Sequence, residues 1–124
     1  MRPGGYPKGV QARAWVEVDL AALWANYRLL AGRAGGEVIP VLKADAYGHG
    51  ALPLARFLEG KGVGRFAVAT LEEGRRLREG GIKGEVLLLG SLHPLEAEEA
   101  LRLGLVPTLS NLEAAEALLK ALVE

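Results

Sequence analysis

From Val38 onward the chain repeats one pattern four times: a short apolar run, a polar or glycine-containing turn, then an amphipathic stretch that ends at glycine. The apolar runs occupy residues 38–42, 66–69, 86–89 and 106–109, with starts 20 to 28 residues apart. That spacing suits short βαβ units, so the pattern predicts four parallel strands, each followed by a helix. Upstream, residues 15–19 (Trp-Val-Glu-Val-Asp) alternate apolar and acidic side chains as a strand would. Asp19 then stands as an N-cap before Leu20, Leu23, Trp24, Tyr27 and Leu30 at helical spacing. The glycine- and proline-rich start opens an arm, residues 1–14, expected to be flexible.

Helix-boundary signals agree with this division. Thr70 with Glu73, and Ser110 with Glu113, fit the capping box, in which hydroxyl and carboxylate each satisfy a backbone N–H at a helix start. Gly60, Gly80 and Gly104 fall where helices should stop in a left-handed cap. Pro40 lacks an N–H and predicts an edge or an irregularity in the first strand. If the helices all cover one face, the sheet is half of an eight-unit barrel with its other face open. The last residues, 121–124, still read as helix interior. The expectation is therefore a partial chain, completed by self-association or by a missing portion.

Composition narrows the class. At 124 residues the chain is one domain in length, and 50% apolar with 24% charged residues is enough to bury a core. A net charge of zero gives no footprint for nucleic acid or anionic lipid. There is no cysteine, so no disulfide frame or thiolate metal site, and no metal is expected. No apolar run approaches the roughly 20 residues of a membrane span, and no export signal is visible, which predicts a cytoplasmic location.

The candidate chemistry lies at Lys43, delivered from the end of the first apolar run into a glycine-bounded loop. In parallel βα units, functional groups cluster at the C-terminal ends of strands. Alternation puts Ile39, Val41 and Lys43 on one face and Leu42 on the other, so the amine should emerge above an apolar layer. Desolvation there would favour the neutral amine that a carbonyl-addition nucleophile requires. The competing reading is a solvated lysine paired with Asp45. His49 reads as a structural residue holding the loop, with acid/base work as its alternative, and His93 before Pro94 reads as a surface turn. Glu72, Glu73, Arg75, Arg76 and Arg78 read as a solvated helix face with i,i+3 and i,i+4 pairs.

The octapeptide 43–50, Lys-Ala-Asp-Ala-Tyr-Gly-His-Gly, preceded by Val41-Leu42, resembles the pyridoxal-phosphate lysine signature of alanine racemases. Residues 15–20, 66–73, 77–82 and 86–90 resemble further segments of the same family. The resemblance implies the N-terminal half of a (β/α)8 barrel over residues 15–124, without the second half of the barrel or the β domain that follows it. It implies a homodimeric racemase interconverting L- and D-alanine for cell-wall synthesis. Pyridoxal 5'-phosphate would be held as a Schiff base on Lys43, and Lys43 would act as one of two proton-transfer bases. Tyr47 would hold the cofactor phosphate and Leu89 would line its pocket. The other base, a tyrosine from the partner subunit, lies beyond this chain, so the fragment alone is expected to be inactive. The alternatives are a non-catalytic pyridoxal-phosphate-binding barrel and a self-associating half-barrel module.

Overall fold

The computed structural model describes residues 14–124, so most of the expected N-terminal arm lies outside the described residues. The chain divides into two compact units, one ending at Val38 and one spanning Ile39–Glu124.

In the first unit, helix α1 (Leu20–Arg33) begins where Asp19 predicts, with the Asp19 carboxylate accepting the Ala22 N–H at 3.0 Å. Trp24 and Tyr27, one turn apart, stack with ring centroids 5.4 Å apart, and the Tyr27 hydroxyl donates to the Val38 carbonyl at 3.2 Å. The expected strand over residues 15–19 does not form. Alternation specifies which way side chains face, but a strand also needs a neighbouring strand to ladder with, and among the described residues no ladder of the sheet includes residues 15–19. Instead the Trp15 indole N–H donates to Glu17.

The second unit is a parallel sheet of β1 (Arg65–Val68), β2 (Glu85–Ser91) and β3 (Val106–Thr108), in that order. The first of the four expected strands, residues 38–42, is reduced to a single parallel bridge between Val41 and Ala67. Its two bonds run from Leu42 N–H to the Ala67 carbonyl at 2.8 Å and from Ala67 N–H to the Pro40 carbonyl at 2.9 Å. Pro40 has no N–H to extend the ladder, so the predicted irregularity becomes the end of the strand.

Around the sheet lie a short turn α2 (Lys43–Tyr47) and helices α3 (Ala51–Gly60), α4 (Leu71–Glu79), α5 (Ala97–Arg102) and α6 (Leu112–Val123). A 3-10 turn, Pro94–Glu96, leads into α5, and its N-cap is His93, whose ring accepts the Leu95 N–H. Leu54, Leu58, Phe66, Val68, Leu77, Val86 and Leu88 are buried together as the core. Gly74 lets α4 approach closely, since a Cβ there would sit 2.9 Å from Leu105 and 3.2 Å from Leu88.

Thr70 and Glu73 form the predicted capping box at α4. At α6 the cap is Asn111, whose side chain accepts the Ala114 N–H at 2.8 Å, and not Ser110, whose hydroxyl bonds that of Ser91. The amide side chain reaches the helix N–H from one residue nearer the helix. Left-handed backbone falls at Gly62, Gly81 and Gly104, so two of the three predicted caps lie one or two residues late.

Candidate functional site

Register defines the site. The pairings Val41 with Ala67, Ala67 with Leu87 and Leu87 with Val106 align these four residues across the sheet on one face. Leu42, Phe66, Val68, Val86 and Leu88 point to the opposite, buried side. The aligned face is open: Val41 is 46% exposed and Val106 37%, while small Ala67 is closed in by its neighbours. Leu89, two residues beyond Leu87, lies on the same face and is half exposed. Lys43 follows Val41 by two residues at the same end.

Lys43 is exposed, and its amine has no hydrogen bond or ion pair among the described residues. The apolar layer expected beneath it is present, but the desolvation is not. Nor does Asp45 pair with it. The Asp45 carboxylate accepts the Ala51 N–H at 2.8 Å at the start of α3.

Backbone conformation distinguishes this loop. Ala44, Asp45, Ala46 and Tyr47 all have φ between 53° and 55°, a left-handed turn made entirely of non-glycine residues. Each such residue costs about 1–2 kcal/mol relative to the right-handed form, so the surroundings must hold it. Gly48 and Gly50, with φ of 86° and 90°, carry the chain out of the turn. His49 does the structural work expected of it, with Nδ1 2.8 Å from the Ala46 carbonyl oxygen. Tyr47, at the end of the turn, is 72% exposed, and its hydroxyl is unpartnered among the described residues.

Glu73, read from sequence both in the capping box and on a solvated face, and Arg78, read on that face alone, make further contacts. The Glu73 carboxylate accepts three N–H groups: Ala44 at 2.6 Å, Ala69 at 2.8 Å and Thr70 at 3.0 Å. Arg78 donates to the carbonyls of Leu103, Ile82, Gly84 and Gly104 at 2.7–3.0 Å, at the opposite end of the sheet from Lys43. Arg75 and Arg76 do pair with Glu72, at 3.4 and 3.8 Å.

Residues 18–124 match the model of the alanine racemase N-terminal domain. The alanine racemase of Carboxydothermus hydrogenoformans is 47% identical over 102 residues, covering 82% of this chain and 28% of the relative. The crystal structure of the Bacillus anthracis alanine racemase with bound L-Ala-P superposes with a TM-score of 0.78 at 33% identity, over 86% of this chain and 28% of that one. A histidine racemase from Leuconostoc mesenteroides subsp. sake matches with a TM-score of 0.77 at 28% identity, over 84% of this chain and 28% of its own. The chain thus spans under a third of the length of these relatives. Its parallel strands and helices are part of a TIM-type barrel, and the chain belongs to the alanine racemase family, within its N-terminal domain.

Proposed function

We propose that this chain supplies the lysine half of an alanine racemase site, with Lys43 as the pyridoxal-phosphate lysine and as the acid/base on one face of the substrate. The observation that supports this most directly is a free primary amine at the C-terminal end of the first barrel segment, above an open apolar row.

The side chains present suit the cofactor. Lys43 offers an amine without a competing ion pair among the described residues, Tyr47 an unpartnered hydroxyl for the phosphate, and Leu89 an apolar wall on the same sheet face. Pyridoxal 5'-phosphate, when bound, supplies the electron sink that makes the substrate Cα–H acidic. Lys43 takes and returns that proton on its side, which requires its amine to sit above the sheet face and clear of Asp45.

Racemisation also requires a proton donor on the other face. We place that group in the part of the relatives that this chain does not span, contributed across a homodimer. Lack of a positioned acid/base group costs about 10²–10⁴-fold in rate, so the 124-residue polypeptide alone is expected to be nearly inactive. Alanine is the proposed substrate because the 47% identical relative is an alanine racemase. The match to a histidine racemase shows that this half-barrel fold also accompanies another amino acid. No helix among the described residues is long and apolar enough to cross a membrane. A cytoplasmic role in making D-alanine for the cell wall belongs to the same proposal.

Borohydride trapping after incubation with pyridoxal phosphate, with peptide mass mapping and Lys43→Ala as control, tests the assignment. Selective labelling of Lys43 is expected. Labelling spread over several lysines, or none, would remove Lys43 from the site.

A further inference from the structure

Glu73 lies 29 positions beyond Ala44 in sequence, yet its Oε2 accepts the Ala44 N–H at 2.6 Å. The other oxygen, Oε1, is fixed by the N–H groups of Ala69 and Thr70 just after β1, at 2.8 and 3.0 Å. The Glu73 N–H in turn donates to the Thr70 hydroxyl at 3.2 Å. One carboxylate therefore joins the end of β1 to the first residue of the left-handed turn. Ala44 is the residue next to Lys43 and the first of four in a conformation that L residues disfavour.

We propose that Glu73 is a positioning residue for Lys43: anchored at the end of β1, its carboxylate holds the Ala44 N–H and fixes where the lysine leaves the sheet. The proposal rests on the assignment of Lys43 as the cofactor lysine. A charge-assisted hydrogen bond of this kind holds the strained turn in place when the turn alone would relax. The helix-capping function of Glu73 is separable from the clamp, because it uses a different oxygen.

Glu73→Gln separates them. An amide has one acceptor oxygen, which can keep Ala69 and Thr70, and its NH2 then faces the Ala44 N–H, donor against donor. Glu73→Asp, with charge kept and reach shortened, breaks the clamp by a second route should the glutamine variant fold poorly. Thr70→Ala is the control: it removes the hydroxyl from the same cap and leaves the Ala44 contact alone. Two quantities are read in each protein, the exchange rate of the Ala44 amide and the affinity for pyridoxal phosphate from trapped Lys43 peptide.

Glu73→Gln and Glu73→Asp are expected to speed Ala44 exchange and weaken cofactor capture at Lys43 by on the order of 10-fold or more. Thr70→Ala is expected to lower thermal stability with both readings unchanged. Wild-type labelling at Lys43 with equal capture by the Glu73 variants would overturn the positioning role while leaving the lysine assignment standing. Equal weakening by Thr70→Ala would overturn it too, since the effect would then be that of a frayed helix. Absence of Lys43 labelling in the wild type would overturn both.

Discussion

The Asp45 carboxylate accepts the Ala51 N–H at 2.8 Å, so a residue inside the left-handed turn caps the helix that follows the loop. Gly50, the residue at the N-cap position of α3, has no side chain to do this. Asp45→Ala is therefore expected to cost about 1 kcal/mol, the usual loss of a cap. Asp45→Asn, which keeps an acceptor oxygen, should retain most of that stability. Urea denaturation of the two variants measures the difference, and equal losses would show that the oxygen does not act as a cap.

Arg78 is half-buried and engages carbonyls preceding both β2 and β3. A lysine has no planar fork to reproduce four such contacts. Arg78→Lys should destabilise by about 2–3 kcal/mol, in the range for hydrogen bonds made by charged groups. Arg76→Ala, on the exposed side of the same helix, should fall within about 0.5 kcal/mol of wild type. Similar melting temperatures for the two variants would contradict this.

A Cβ at Gly90 would lie 2.5 Å from the Ala69 carbonyl oxygen, a backbone atom that cannot swing aside. Gly90→Ala should therefore disrupt the pairing of β1 with β2 and lower stability. Nothing lies within 4 Å of a Cβ at Gly60 in α3, and Gly60→Ala should stabilise by about 0.5–1 kcal/mol through helix propensity. Thermal unfolding of the pair is expected to show shifts of opposite sign.

The hydrogen bond from Arg102 holds the Glu99 carboxyl below its ordinary pKa, against a smaller opposing effect of desolvation, with Arg102 and Arg75 adding Coulombic attraction. A carboxyl with a lowered folded-state pKa contributes stability above its unfolded pKa and loses that contribution as pH falls through the folded one. Glu99→Gln should therefore melt slightly below wild type at neutral pH, with the gap closing on acidification through the carboxylate range. A gap that persists in acid would assign the effect to packing.

Much of this was legible in the chain. Three of the four apolar runs located β1, β2 and β3, Asp19 and Thr70 marked helix starts, and the glycines after Lys43 marked the loop that carries the left-handed turn. The α6 cap and two glycine caps missed by only one or two residues, whereas the larger failures share a cause: local patterns do not encode partners distant in sequence. Residues 15–19 alternate correctly but have no ladder, and Pro40 stops pairing that the apolar run alone would continue. Glu73 and Arg78 look like members of a charged helix face because their spacing is helical. Their bonds to Ala44 and to Leu103 depend on the register that brings successive βα units side by side. A glutamate at the third position of a helix that directly follows a strand, beside the lysine strand, was the available sign for Glu73.

Lys43 and its strained turn sit where the strands end, whereas Arg78 and the Glu59 carboxylate, which accepts from Lys83 and Gly84, grip the loops where strands begin. Among the described residues, Glu73 and Asp45 at one end and Arg78 and Glu59 at the other bond to separate sets of backbone groups, so changes at one end should leave the other nearly untouched. Substitutions on the rim that carries Lys43 can then accumulate while the fastening beneath it stays the same.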